Sequence, residues 1–167
     1  MSLKEFQARS PRTDGEREEL IEGELVVSPD PKADHAYIVE MLREALRPLL
    51  AEGYFITNHS SCVLPPRSMP SPDLFVVRRE RMMDAVRRRD WIHGAPDLVI
   101  EISSASNRRL QTKADLYLRH GAEQVWTVYP NRHVVLVSTA EGPREARQGE
   151  TFEFRGIILN VRDLFAF

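Results

Sequence analysis

Residues 95–106 read APDLVIEISSAS: a Pro-Asp pair, a Leu-Val-Ile run, then a glutamate, Glu101, inside an otherwise apolar segment. A short apolar run bounded by turn residues is the pattern of a buried strand. Alternate residues of a strand share a face, so Asp97, Val99 and Glu101 fall on one side and Leu98, Ile100 and Ile102 on the other. An ionised carboxylate in a low-dielectric interior is costly unless something pairs with it. Glu101 therefore calls for either a structural partner or a bound cation.

The segments around this strand set the fold class. A helix is predicted from about Asn107 to His120, ended by Gly121, and the next apolar run, EQVWTVYP, reads as a strand closed by Pro130. Strand, helix, strand in this order is a crossover that makes a parallel pair. SPDLFVVRR, residues 71–79, is a second Pro-Asp strand, and HVVLVSTA follows the turn YPNR. Upstream, ELIEGELVVSP, residues 19–29, reads as a strand or a turned pair of short strands with Gly23 at the bend. Residues 34–51 carry Ile38, Leu42, Ala45, Leu46 and Leu49 at helical spacing, with Asp34 as the expected N-cap and Gly53 as the stop. YFITNHSSCVLPP reads as one or two strands, and the tail from Gly142 as a short β meander with a final helical turn. The sum is a mixed sheet with helices packed on it, an α/β or α+β fold. Residues 1–15 are expected to form an N-terminal arm, extended or briefly helical, and residues 16–167 one domain.

Composition excludes several functions. A net charge of −2 gives no global electrostatic case for nucleic-acid binding. Locally, RRERMMDAVRRRD, residues 78–90, holds six arginines against three acids. It is a candidate clamp for a polyanion, and equally a solvated helix face or loop. The single cysteine, Cys62, forbids an internal disulfide and a cysteine zinc site, and suits a small buried hydrophobe. The five histidines show no HExxH pattern, and GxGxxG, P-loop and GxSxG patterns are absent. With no long apolar run and no apolar leader at the N-terminus, the expected location is the cytoplasm.

Asp73 holds a place in its strand analogous to the carboxylates of APDLVIEIS. Two adjacent carboxylates raise each other's pKa unless a cation neutralises them, and magnesium characteristically takes one or two protein carboxylates plus phosphate oxygens. In NRRLQTKADLYLRHG, Lys113 lies on the face marked by Leu110, Leu116 and Tyr117, so its ammonium can reach the strand ends near Glu101. The same spacing also fits a lysine whose stem covers apolar surface. Two carboxylates, a metal and a lysine suit phosphodiester hydrolysis. Tyr117 and Trp126 read as core residues rather than base-stacking platforms.

The ordered set SPDLFVV, APDLVIEISSAS and KADLYLRHGAEQVWTVYP, preceded by ELIEGELVVSPDPKADHAYIVEMLREAL, resembles the Uma-type restriction endonuclease family of the PD-(D/E)xK nuclease superfamily over roughly residues 16–167. The resemblance implies a restriction-endonuclease-like core, a mixed central sheet flanked by helices with the active site at one edge. It implies that Asp73 is the Asp of the Pro-Asp motif and Glu101 the acid of (D/E)xK. Ser103 stands where the motif lysine would be, so Lys113 on the following helix is the matching residue. Glu19 and Glu24 match acidic positions, one of which can add a carboxylate to the metal site, and His35 matches a histidine opening the first long helix; a plain helix-terminal hydrogen-bonding role suits His35 equally. The implied cofactor is Mg2+ or Mn2+, the implied substrate DNA, and the implied assembly a homodimer. Arg109, Tyr129 and Ser104 depart from the family's usual acid, Asp and Pro. The alternative is a non-catalytic nucleic-acid- or protein-binding domain on the same scaffold.

Overall fold

The computed structural model describes residues 1–58, 60–103 and 107–167, with the side chains of 107 and 108 set aside. Its centre is a six-stranded mixed sheet. In chain order the elements are α1 (Leu3–Gln7), β1 (Arg17–Ile21), β2 (Glu24–Ser28), α2 (Ala33–Leu46) with a 3-10 turn (Arg47–Glu52), β3 (Tyr54–Thr57), β4 (Cys62–Val63) and β5 (Leu74–Arg78). Then follow α3 (Arg79–Arg88), β6 (Ile92–His93), β7 (Leu98–Ile102), α4 (Asn107–Arg119), β8 (Gln124–Tyr129), β9 (Val134–Thr139), β10 (Gly142–Arg147), β11 (Thr151–Phe154), β12 (Ile157–Asn160) and α5 (Val161–Leu164).

The central order is β10-β9-β8-β7-β5-β3. β7 and β8 are parallel, joined by α4, and the other neighbours in this sheet are antiparallel. The alternation in APDLVIEIS separates the two cores. Leu98, Ile100 and Ile102 join Leu74 and Val76 under α2, the β11–β12 hairpin and α5. Val99 joins Phe75 and Val77 in the opposite core, with Ala114, Leu116 and Tyr117 of α4. Both strands are covered on both faces, which is why they read as continuous apolar runs.

Local chemistry places the ends. β1 and β2 turn through Glu22 and Gly23, both at positive φ (50° and 84°), the pair a tight two-residue hairpin requires. α2 buries Ile38, Val39, Leu42 and Leu46. Its N-cap is Lys32, without a side-chain cap bond, and Asp34 lies inside the first turn, so the expected Asp34 cap is corrected by two residues. There its charge still favours the helix N-terminus. Pro48 removes a backbone donor and the chain tightens to 3-10 geometry until Gly53, at φ 86°, ends it. α1 is capped by Ser2 and Glu5, and its Leu3 and Phe6 pack on Leu20, Val63 and Met69. Among the described residues no helix is long and apolar enough to cross a membrane.

Candidate active site

β5 and β7 pair as Leu74↔Ile100, Phe75↔Val99 and Val76↔Leu98. Extending that register by one residue sets Asp73 opposite Glu101 at one end of the sheet. The Ile102 N–H donates to Asp73 Oδ2 at 2.8 Å and closes the two strands there. β1 runs alongside. Its period of two points Arg17, Glu19 and Ile21 one way, and Glu18 to the other side, where it meets Arg9 and Arg12.

Lys113 lies at the centre. Its Nζ is 2.8 Å from Glu101 Oε1 and 2.8 Å from Glu19 Oε1, and all three side chains are buried. Tyr117, one helical turn on, donates its hydroxyl to Glu101 Oε1 at 2.8 Å, and the Ser71 N–H donates to Glu19 Oε1 at 2.7 Å. Asp73 Oδ1 takes Arg17 Nη2 at 3.0 Å and His35 Nε2 at 3.2 Å. The Asp73 end opens into a cleft of about 510 Å3 between β1 and α2.

The charges follow from burial and neighbours. Burial works to raise the Asp73 carboxyl, but His35, the Ile102 N–H and Arg17 outweigh it and hold it at about 2. Glu101 goes the other way: burial, with the fields of Asp73 and Glu19 added, pushes it up to about 8 against the pull of Lys113. Lys113 is raised although burial opposes it, because Glu101 and Glu19 both favour its ammonium. Burial also pushes the Cys62 thiol up to about 12, which leaves it an unreactive core group.

Three buried carboxyl groups thus face two cations, Lys113 and Arg17. The three carboxyl groups make an all-oxygen donor set of the kind a hard divalent ion takes, and such an ion would favour the ionised form of Glu101. Among the described residues no three His, Cys, Asp or Glu side chains are gathered as ligands of one ion, because Lys113 stands between Glu19 and Glu101 and Arg17 and His35 cover Asp73.

The structure brings Asp73, Glu101, Lys113, Glu19 and His35 together. Glu24 is corrected: it is exposed on β2 and only approaches Arg109, at 3.8 Å. Of the two N-terminal acids, Glu19 alone faces the site. The Arg-rich segment is corrected too. It forms α3 at the far end of β5, roughly 17 Å of strand from Asp73. There Arg81 donates to the carbonyls of Ala95 and His93, and Arg88 pairs with Asp84. Among the described residues none of its arginines pairs with Asp73, Glu101 or Glu19. Ser104 and His59 lie outside the described residues. Sequence reasoning missed Arg17, whose signal was its two-residue spacing from Glu19. It also placed Tyr117 in the core without its hydroxyl bond, which the four-residue spacing from Lys113 could have suggested.

Residues 3–164 match the family described as "Uma2: Putative restriction endonuclease". No curated protein matches the chain. Among solved structures, a crystal structure titled as "a putative nuclease belonging to DUF820" from Anabaena variabilis ATCC 29413 matches with a TM-score of 0.85 and 22% identity, over 99% of this chain and 98% of that one. At that identity the likeness speaks for the fold.

Proposed function

Since this chain belongs to the Uma2 family of restriction-endonuclease-like proteins, we propose that it is a divalent-cation-dependent endonuclease that hydrolyses DNA phosphodiester bonds at the Asp73–Glu101–Lys113 site. One observation carries the reading: Asp73 just before β5, Glu101 of β7 and Lys113 of α4 are buried polar groups gathered at one end of the sheet, and the Asp73 end opens to a cleft. Asp73 and Glu101 would hold Mg2+ or Mn2+, with Glu19 beside them. When bound, such an ion stabilises charge on a phosphoryl oxygen and lowers the pKa of water.

The chain's own residues do the rest. Lys113 is held as an ammonium by two carboxylates, so it serves as a hydrogen-bond donor to the attacking water or the developing charge rather than as a base. Tyr117 fixes the Glu101 carboxyl and Ser71 fixes that of Glu19. A subunit with one such site cuts one strand, so the reading includes a homodimer for double-strand cleavage.

The test is nicking of supercoiled plasmid with Mg2+ or Mn2+ by the wild type and by Asp73→Asn, Glu101→Gln and Lys113→Ala. Metal-dependent cleavage lost in all three folded variants is the expected result. A wild type that cleaves neither duplex nor single strand and binds no Mn2+ by calorimetry would overturn the reading in favour of a binding domain on this scaffold.

A further inference from the structure

We propose that Arg17 is the phosphate-binding residue of this site: a guanidinium that here rests on Asp73 and transfers to a backbone phosphate of the nucleic acid when a cation takes its place. The inference rests on the nuclease reading above and deepens it.

Charge is the first ground. Arg17 is the single lysine or arginine among the described residues lining the cleft, whose other charged groups include the acids Asp30, Glu40 and Asp73. A phosphodiester entering this acidic cleft needs a cationic partner, and Arg17 is built into its wall.

Unmet hydrogen bonding is the second. Among the described residues, two buried side-chain polar atoms lack a partner: Arg17 Nε and His35 Nδ1. Both belong to residues that line this cleft and both residues contact the same Asp73 oxygen. Buried polar groups are almost always paired, so two orphans at one place call for an explanation. Arg17 spends Nη2 on Asp73, and its buried Nε makes no hydrogen bond among the described residues. Two oxygens of a phosphate match the Nε–Nη fork in a way that one carboxylate oxygen does not.

Access to solvent is the third. The Arg17 side chain is 38% exposed while Asp73 is 3% exposed, so the guanidinium reaches over the carboxylate from the solvent side. A divalent ion at Asp73 would repel a guanidinium now 3.0 Å from Oδ1. An incoming phosphate would accept it. Cation and nucleic acid then favour each other's binding through one side chain, and that coupling is reciprocal.

The test uses the intact protein and a fluorescent DNA duplex, measured by anisotropy in EDTA and in Ca2+, with electrophoresis to confirm that the duplex stays intact. Wild type is compared with Arg17→Gln and Arg17→Lys, and Mn2+ affinity is measured by calorimetry. The expected result is that Arg17→Gln binds duplex about tenfold more weakly in Ca2+ and about equally in EDTA. Its log–log salt dependence should flatten by about one counterion, with Mn2+ affinity unchanged or tighter. Arg17→Lys keeps the charge without the fork and should fall between. Arg17→Gln or Arg17→Lys binding duplex like wild type, with the same salt dependence, would overturn the inference alone. So would a parallel loss of Mn2+ affinity, which would make Arg17 a support for Asp73. A wild type that binds no DNA in Ca2+ would overturn the nuclease reading, and this inference with it.

Discussion

The backbone N–H of Ile102 donates to Asp73 Oδ2 at 2.8 Å, so the last residue of β7 holds the carboxylate that precedes β5. The bond joins residues 29 apart in sequence and continues the strand pairing past its last register pair, Leu74↔Ile100. The position of Asp73 is therefore set by the sheet rather than by a loop.

That anchoring should appear in acid. The Asp73 carboxyl sits at about 2 in the folded protein, below its ordinary 3.8. A depressed carboxyl stabilises the fold fully above its unfolded value, and the contribution is lost as pH falls through the folded one. Urea unfolding of wild type and Asp73→Asn should show the stability difference shrinking by about 2 kcal/mol between pH 5 and pH 2. A constant difference would mean that Asp73 contributes nothing through its charge.

Lys113 should be the most costly single residue to remove. Lys113→Met leaves Glu19 and Glu101 buried without their shared cation, and truncating one member of a buried charge set costs about 3–5 kcal/mol. Adding Glu101→Gln removes one of the stranded carboxyls, so the double variant should be more stable than the single loss of Lys113. Denaturant midpoints of the four proteins give the coupling. Strict additivity would contradict the contacts at 2.8 Å.

Glu101 predicts the opposite pH behaviour from Asp73. Its carboxyl is raised to about 8 by burial, so between about 4.5 and 8 the folded protein holds a proton that the unfolded chain releases. Stability contributed by this group falls as pH rises through that window and levels off above it. Glu101→Gln cannot titrate, so its melting temperature should gain on wild type from pH 5 to pH 8.5. A gain by wild type instead would show the Lys113 ion pair outweighing burial.

How much of this was legible depends on range. Alternation in APDLVIEIS assigned Leu98 and Val99 to opposite cores, because a strand's two faces are written in consecutive residues. The positions of Asp73, Glu101 and Lys113 were read from strand ends and helix spacing, and from resemblance. The choice between Glu19 and Glu24 was not legible, since it depends on which strand of the hairpin turns inward. The placement of the Arg-rich segment was hidden for another reason. Its composition reports charge, but which end of the sheet it occupies is set by β5, which carries the chain away from Asp73 before α3 begins. Arg17 was hidden because its partner lies 56 residues away.

Tyr117 links the fold to the chemistry, and its hydroxyl can be removed alone. Its ring is wholly buried in the core with Val99 and Phe75, so Tyr117→Phe leaves the packing in place. What is lost is the bond to Glu101 Oε1, a buried hydrogen bond that costs about 1–2 kcal/mol when its partner is left behind. A purely structural tyrosine would show that stability loss and nothing more. A positioning residue for Glu101 should also weaken Mn2+ binding several-fold, while duplex affinity measured in EDTA stays at the wild-type value. Calorimetry and anisotropy on the same preparation separate the two roles. Unchanged Mn2+ affinity in a folded Tyr117→Phe protein would confine Tyr117 to the core.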